Sequence, residues 1–305
     1  MPKLEQMKPR PPDLKALEEL PGKKREIEVL GSFTRYWDYG PRDARWLIVA
    51  AHGYRGEHHG LEPVIAHLPG VRVIVPDMPG FGESSPLTEA PHSIAGYADW
   101  LEAFLDQLHV LGKAVLLGHS FGSIIASQAV STGLNTPGMI LMNPIAISGV
   151  KGPKRFSTWL TVKFYRTAAK LPERLAKRML GNWAVVQFMS VILAKTKDRA
   201  LRKWIHQEHH RYFNNFSDSR TVSEAFEASV SQNVGDVAEK IGVPTLLIAA
   251  ELDDITPISA NYALAKTIPN AKIVVLEGVG HLIHYEQPEL AAEAITEFLN
   301  GLGSQ

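Results

Sequence analysis

The chain has 305 residues, 45% of them hydrophobic and 21% charged, which is enough for one large hydrophobic core or two ordinary ones. Lys plus Arg and Asp plus Glu number 32 each, and the resulting net charge of zero argues against a nucleic-acid-binding chain and against an acidic disordered one. The absence of cysteine excludes disulfide scaffolds, zinc ribbons, thiol catalysis and iron–sulfur clusters. Any side-chain nucleophile must therefore be an oxygen or a nitrogen.

The first 25 residues mix charges of both signs with several prolines. They contain no apolar run of the ~7–15 residues that a signal peptide needs. Nowhere does the chain approach the ~18 consecutive apolar residues of a membrane span. We therefore expect a soluble, cytoplasmic protein in which residues 1–25 form an N-terminal tail.

The predicted elements begin with two segments, 26–31 and 33–39, that we expect to pair as antiparallel strands at a sheet edge. Short apolar runs bounded by turn residues are typical of buried strands, and they occupy 45–51, 71–77, 113–118, 138–143, 244–250 and 271–277. Helical spacing of apolar residues is found at 92–111, 121–132, 257–267 and 288–299. Strands that alternate with helices predict an α/β fold with a mostly parallel sheet covered on both faces.

This alternation stops between residues 148 and 233, where the pattern is helical, aromatic and basic. We predict that 148–233 form a helical cap inserted into a core of residues 26–147 and 234–305. Residues 151–211 contain 15 Lys and Arg but only 3 Asp and Glu, a local charge of +12 that the rest of the chain balances with −12. The basic cap either holds the acidic core or attracts an anionic substrate or membrane surface.

The first motif that carries chemistry is the pentad Gly118-His119-Ser120-Phe121-Gly122, placed between a predicted strand and a predicted helix. Glycines are needed on both sides of such a serine because the backbone turns sharply and packs against neighbouring elements. The turn lifts the Ser120 oxygen out of the sheet at a helix N-terminus, where backbone N–H groups favour developing negative charge. Ser120 is the candidate nucleophile.

A serine nucleophile needs a base, and twelve histidines are available. His281 follows the last strand in the sequence Gly278-Val279-Gly280-His281, where a loop returns it to the mouth of the sheet. His284 is the next candidate. His119 and His52 lie next to the nucleophile and at the end of an earlier strand, and we expect both to shape the site rather than to act as the base.

The acid that orients the base should follow the penultimate strand, where Glu251, Asp253 and Asp254 share one loop. The order serine, acid, histidine along the chain is the order typical of this architecture whichever carboxylate is used. The residues alone leave the choice among the three open.

Taken in order, the motifs resemble the α/β-hydrolase-fold superfamily, in particular lipase/esterase-like serine hydrolases with a helical cap. The resemblance covers about residues 26–301 and depends on His52-Gly53, the segment Asp77–Ser84, the Ser120 pentad and the two loops at Asp253 and His281. It implies a catalytic triad of Ser120, Asp253 and His281, with Asp254 as the second choice of acid. Asp77 matches a position that organises a loop rather than a catalytic acid.

The resemblance also implies an oxyanion hole formed by the backbone N–H groups of Tyr54 and Phe121. One such donor is worth roughly 3 kcal/mol of transition-state stabilisation. Haloalkane dehalogenases and epoxide hydrolases of this fold carry aspartate where Ser120 stands, so the resemblance favours hydrolysis of a carboxylic ester. The large apolar residues of the predicted cap, such as Phe156, Trp159 and Trp183, suggest a small-molecule substrate with an acyl or aromatic part. A carbon–carbon bond hydrolase, an acyltransferase and a hydrolase-like ligand receptor remain as alternatives.

A possible metal motif in the cap is His206-Gln207-Glu208-His209-His210, in which His206 and His210 are one helical turn apart. A zinc protease motif has Glu directly after the first His, and here Glu208 comes one residue later. We therefore expect a polar, basic face of a cap helix there, and we expect neither a metal nor another cofactor in this protein.

Overall fold

The structure is a computed structural model that describes residues 11–13, 17, 20–149 and 155–303. Most of the N-terminal segment predicted as a tail lies outside these residues. Eight strands form one sheet: β1 (Lys23–Val29), β2 (Ser32–Tyr39), β3 (Leu47–Ala51), β4 (Arg72–Pro76), β5 (Val115–His119), β6 (Met139–Met142), β7 (Thr245–Ala250) and β8 (Ala271–Leu276).

The sheet has the strand order β1-β2-β4-β3-β5-β6-β7-β8. The antiparallel partners are β1 with β2 and β2 with β4, and the remaining neighbours pair in parallel. The predicted mostly parallel sheet and its antiparallel edge pair are confirmed. The first strand begins at Lys23, inside the segment predicted as a tail.

Helices cover both faces of the sheet. Outside the cap they are α1 (Glu62–Ile65), α2 (Ile94–Gln107), α3 (Phe121–Ser131), α9 (Ile258–Thr267), α10 (Ile283–Glu286) and α11 (Pro288–Leu302). The central strands β5 and β7 are buried at every residue, because helices pack on both sides of them. One core includes Trp100 and Phe104 of α2, and the other includes Ile295 of α11. The continuous apolar runs in the sequence reflect this double covering.

Five helices lie between β6 and β7, in the region predicted as the cap: α4 (Arg155–Ala168), α5 (Glu173–Leu180), α6 (Trp183–Leu193), α7 (Arg199–Tyr212) and α8 (Ser219–Ser231). Backbone hydrogen bonds join this layer to the core loop after β4, from Gly82 N–H to the Asn215 carbonyl (2.8 Å) and from Ser217 N–H to the Gly80 carbonyl (2.9 Å). The exact cap boundaries stay a prediction. Among the residues that the structure describes, no helix combines the length and apolar composition that crossing a membrane requires.

Candidate active site

Ser120 lies at the tight turn between β5 and α3, with φ 52° and ψ −112°. Residues other than glycine adopt a backbone conformation with positive φ of this kind only when the surrounding structure constrains them. The turn is fixed by hydrogen bonds from Ser120 N–H to the Met142 carbonyl (3.0 Å) and from Ser123 N–H to the Ser120 carbonyl (2.9 Å). A Cβ on Gly118 would lie 2.5 Å from the Gly122 carbonyl oxygen. The glycines of the pentad are therefore required by close approach within the turn.

His281, on the loop after β8, reaches the serine. The Ser120 hydroxyl donates to His281 Nε2 across 2.8 Å. Two hydrogen bonds at Gly280 fix this loop: Gly280 N–H donates to Glu286 Oε2 (2.9 Å), and Asn143 Nδ2 donates to the Gly280 carbonyl (3.3 Å). Of the two candidate bases, His281 is the one in contact with Ser120.

Asp253, on the loop after β7, contacts the other ring nitrogen of the same histidine. His281 Nδ1 donates to Asp253 Oδ2 across 2.8 Å, and Asn143 Nδ2 donates to that oxygen at 3.1 Å. The other carboxylate oxygen accepts N–H groups of Ile255 (2.7 Å) and Thr256 (3.2 Å). Burial by itself raises the pKa of Asp253, but His281 and these N–H groups outweigh it and hold the pKa below its usual value.

The two other carboxylates of this loop point elsewhere. Asp254 pairs with Lys195 at the surface, and Glu251 accepts Gly278 N–H at 2.9 Å. Neither has a contact with the His281 ring among the described residues. The structure therefore brings together Ser120, His281 and Asp253, the acid that the resemblance implied.

Three of the remaining histidines are buried around this group. His284 lies against His119, with ring centroids 4.2 Å apart, and does not contact Ser120. Burial, and then the proximity of His281, lowers the pKa of His119 to about 3. His52 Nε2 accepts Met78 N–H at 2.8 Å, which joins the loop after β3 to the loop after β4. These contacts agree with the expectation that His119 and His52 shape the site.

The two residues predicted to form an oxyanion hole are neighbours. The rings of Tyr54 and Phe121 meet edge to face with centroids 6.3 Å apart. A Cβ on Gly53 would lie 3.5 Å from Ser120 Cβ, so the loop after β3 passes directly beside the nucleophile. Within the described part of the chain, neither Tyr54 N–H nor Phe121 N–H has a protein acceptor. The oxyanion hole itself stays a prediction.

Asp77 is completely buried and organises a loop, as its motif implied. Its Oδ1 accepts His58 N–H and His58 Nδ1, each at 2.9 Å, and its Oδ2 accepts Glu83 N–H at 2.8 Å. Burial raises the pKa of Asp77 to about 6. No contact joins Asp77 to Ser120 or His281 among the described residues.

Sequence reasoning missed three residues that support the site. Asn143 links Asp253 to the His281 loop, and Glu286 binds N–H groups of Gly280 and Lys195. Asn143 comes directly after a buried strand, which is a signal for a site residue at the carboxyl edge of a parallel sheet. Glu286 had no comparable signal, since it lies in a short helix of mixed composition.

The third missed residue is Arg55, which follows Tyr54 and is only 2% exposed. Among the described residues, its guanidinium donates to four acceptors of the predicted cap region, Phe213 O (2.8 Å), Tyr165 Oη (3.2 Å), Leu180 O (3.3 Å) and Asn214 Oδ1 (2.8 Å). No carboxylate contacts this buried charge within the described ranges. Arg55 therefore ties the loop that carries Tyr54 to the helices that lie between β6 and β7.

The cap histidines of the possible metal motif have side-chain partners of their own. His206 Nδ1 and His209 Nδ1 both contact Ser190 Oγ, at 2.6 and 2.7 Å, and His210 Nε2 contacts Gln187 Oε1 at 2.8 Å. They form a polar layer between α6 and α7. The sequence predicted a polar, basic helix face here, whereas His209 is buried between the two helices and burial lowers its pKa to about 3.

Comparisons of this chain with a family model, with curated proteins and with solved structures all lead to the same fold family. The model of the alpha/beta hydrolase fold family matches residues 47–288. The uncharacterized hydrolase YugF of Bacillus subtilis (strain 168) is 26% identical over 270 residues, which cover 87% of this chain and 93% of that protein. A 2-hydroxy-6-oxononadienedioate/2-hydroxy-6-oxononatrienedioate hydrolase of Cupriavidus pinatubonensis is 24% identical and covers 82% of each chain.

Among solved structures, a thermophilic esterase from Thermogutta terrifontis superimposes with a TM-score of 0.74 at 22% identity, covering 92% of this chain and 99% of that one. At this identity the likeness establishes the fold. The sheet order, the serine at the strand-to-helix turn and the family match over most of the chain agree. The chain belongs to the alpha/beta hydrolase fold family and is a hydrolase.

Proposed function

We propose that the protein is a serine hydrolase that cleaves a carboxylic ester through an acyl-enzyme. The observation that carries the proposal is the continuous chain of two 2.8 Å hydrogen bonds, from Ser120 Oγ to His281 Nε2 and from His281 Nδ1 to Asp253 Oδ2. Serine at its ordinary pKa is a poor nucleophile, and an oriented neutral imidazole in contact with its hydroxyl is the arrangement that activates it.

In the acylation step, Ser120 Oγ attacks the ester carbonyl carbon while its proton passes to His281 Nε2. Asp253 stabilises the resulting imidazolium through the Nδ1 hydrogen bond and remains ionised, in agreement with its lowered pKa. The N–H groups of Tyr54 and Phe121 bind the tetrahedral oxyanion. When the carbon–oxygen bond to the leaving alcohol breaks, His281 returns the proton to that alcohol.

Deacylation repeats these roles with water. His281 accepts a proton from a water molecule, whose oxygen attacks the acyl carbon and forms a second tetrahedral intermediate. Collapse of this intermediate releases the carboxylic acid, and the proton on Nε2 returns to Ser120 Oγ. Each cycle consumes one water and leaves the enzyme unchanged.

The cap supports a substrate with an apolar part. Large apolar side chains of α4 and α6 are exposed, among them Phe156 (70%), Trp183 (67%) and Phe188 (65%). A cap that presents this much apolar surface favours an acyl chain or an aromatic group over a small polar ester. The dienedioate hydrolase relative gives carbon–carbon bond cleavage as the second candidate reaction.

A panel of p-nitrophenyl esters with acyl chains of graded length tests the proposal, together with a vinylogous 1,5-diketone as the carbon–carbon bond substrate. We expect ester turnover that varies with chain length and is lost in Ser120→Ala. Ser127→Ala is the matched control, because Ser127 is a buried serine on α3 whose hydroxyl has no hydrogen-bond partner among the residues that the structure describes. Turnover confined to the diketone would reassign the reaction, and turnover of neither would refute the proposal.

A further inference from the structure

A second polar cluster lies on the loop that follows Tyr54, away from Ser120. Glu57, His58 and His59 each direct one ligand atom into a group whose atoms lie within 4.8 Å of one another. Glu57 and His58 are buried, at 3% and 2% exposure. A cavity of about 700 Å³ adjoins them between β2, α1 and α7, and its lining includes His58, His59, Glu62, Glu208 and Tyr212.

The three side chains combine the donor types that Zn²⁺ selects. Imidazole nitrogen and carboxylate oxygen bind this ion at about 2.0–2.2 Å, which places tetrahedral ligand atoms roughly 3.3 Å apart. The ligand atoms of the three residues already lie within 4.8 Å of one another, so each pair differs from that spacing by about 1.5 Å or less. His59 Nδ1 and Glu57 Oε1 are in direct contact, so an ion entering there takes the place of the proton between them.

Two of the proposed ligands are oriented by side chains that hydrogen-bond to them from behind, away from the proposed ion. His58 Nδ1 bonds to Asp77 Oδ1 (2.9 Å), which leaves Nε2, without a protein partner in the described residues, free for a metal. Glu57 Oε2 accepts from Asn215 Nδ2 (3.0 Å), which leaves Oε1 for coordination. A carboxylate on the far nitrogen of a ligating histidine fixes the ring and raises its basicity.

Aromatic stacking and charge add to this preorganisation. The His58 ring stacks on Trp37 with centroids 3.3 Å apart, and the His59 ring stacks on Tyr212 at 4.2 Å. The carboxylates of Glu62 and Glu208 face the same cavity. With Glu57 and Asp77 they outnumber the cations nearby, which are the guanidinium of Arg211 in the lining and the ammonium of Lys24, which lies over the Trp37 ring and pairs with Glu83. Such surroundings favour a dication.

We propose that Glu57 Oε1, His58 Nε2 and His59 Nδ1 bind Zn²⁺, with water from the cavity as the fourth ligand. The ion crosslinks a loop that begins three residues after Tyr54 and therefore stabilises the segment carrying a proposed oxyanion donor. It takes no part in the proton transfers at Ser120. Binding of Zn²⁺ and hydrolysis of esters are accordingly separate properties that succeed or fail independently.

The test is a titration of chelator-treated, full-length protein with Zn²⁺ by calorimetry, and with Co²⁺ by visible absorption. Glu57→Gln keeps the shape of the side chain, and His59→Gln changes the most exposed of the three ligands. The matched control is the double variant His206→Ala and His210→Ala, which removes the histidines of the cap motif. We expect one Zn²⁺ per chain, a tetrahedral Co²⁺ spectrum, and affinity lowered at least tenfold in both ligand variants and unchanged in the control.

Thermal unfolding gives a second readout that does not depend on activity. At the same Zn²⁺ concentration, the Tm of the wild type should rise more than the Tm of Glu57→Gln, since an ion stabilises the state that binds it by an amount that grows with its affinity. The absence of Zn²⁺ binding would overturn the proposal. So would binding that survives both ligand variants, or binding that is lost with the cap histidines. If Glu57→Gln fails to fold, His59→Gln alone decides between these outcomes.

Discussion

Replacing Asp253 by Asn provides a sharp test of how the three catalytic candidates depend on one another. The carboxylate accepts four hydrogen bonds, from His281 Nδ1, Asn143 Nδ2 and the N–H groups of Ile255 and Thr256. An amide has one acceptor oxygen and one donor nitrogen. In Asp253→Asn the new amide NH₂ group must therefore point either at the N–H groups of Ile255 and Thr256, which are also donors, or at the His281 ring. If it points at the ring, it donates to Nδ1 and favours the His281 tautomer that carries its proton on Nε2.

With that proton on Nε2, His281 cannot accept the proton of Ser120. Loss of the orienting carboxylate in a serine triad lowers kcat by about 10⁴, equivalent to roughly 5 kcal/mol of activation free energy. We expect a loss of this order for Asp253→Asn. Asp254→Asn and Glu251→Gln should change kcat by less than about threefold, because their carboxylates bind Lys195 and Gly278 N–H instead of His281.

The assay is kcat and KM for a p-nitrophenyl ester, with the rate of fluorophosphonate labelling as a measure of Ser120 nucleophilicity. Thermal unfolding of each variant separates loss of function from loss of fold. Similar losses in Asp253→Asn and Asp254→Asn, or a larger loss in Asp254→Asn, would refute the assignment of the acid.

Three further predictions concern the surroundings of the site. Arg55→Met should lower kcat about tenfold with little change in KM, because the loop that carries Tyr54 loses its hydrogen bonds to the cap. Arg55→Lys should recover part of the loss, and an unchanged kcat in Arg55→Met would contradict this coupling. Burial lowers the pKa values of His119 and His209 to about 3, so the unfolded chain binds more protons below pH ~6.5 and stability falls on acidification. At pH 5 each costs about 2 kcal/mol, and His58, whose pKa burial also lowers to about 3, adds a cost of the same sign. The raised pKa of its partner Asp77, about 6, returns only about 1 kcal/mol, so urea midpoints equal at pH 7 and pH 5 would contradict this prediction. The basic cap should bind anionic vesicles at 0.1 M salt, with exposed side chains such as Trp159 (54% exposed) at the contact, and should release them near 1 M salt, where the attraction between charges is screened. A flotation assay that finds no binding at low salt would contradict the membrane interpretation.

The sheet was predictable because its strands are covered on both faces. Each continuous apolar run corresponds to one strand, with ends shifted by three residues or fewer, since burial on both sides removes the polar alternation that marks a half-exposed strand. The helix predicted over 92–111 ends earlier, at Gln107. His109 (φ 56°) and Gly112 (φ 74°) adopt left-handed conformations there, which stops the helix before its apolar pattern ends.

The reacting side chains were predictable because local backbone geometry dictates them. The glycines around Ser120 are demanded by close approach of the chain, and the positions of the acid and the base follow from where β7 and β8 end. The choice between Asp253 and Asp254 was harder, since adjacent residues on a loop point in different directions. Only the three-dimensional path of the loop shows that Asp253 faces His281.

The contacts that hold the site to the cap were not predictable. Arg55 bonds to residues more than a hundred positions away, and Glu286 binds Lys195 N–H and Thr196 N–H across 91 and 90 positions. Such pairs depend on how separate elements pack, and no periodicity or local spacing encodes them. The cluster of Glu57, His58 and His59 was not predicted for a related reason. The ligand atoms of three adjacent residues come together only because the loop bends, and the sequence does not show that bend.

Intact-mass measurement after incubation with a fluorophosphonate tests the central claim most directly. If Ser120 is a nucleophile activated by His281, the wild type and Ser127→Ala should each gain the mass of one probe, peptide mapping should place that probe on Ser120, and Ser120→Ala should gain none. Labelling of Ser120→Ala at the wild-type rate, or a wild type that remains unlabelled while folded, would contradict the account.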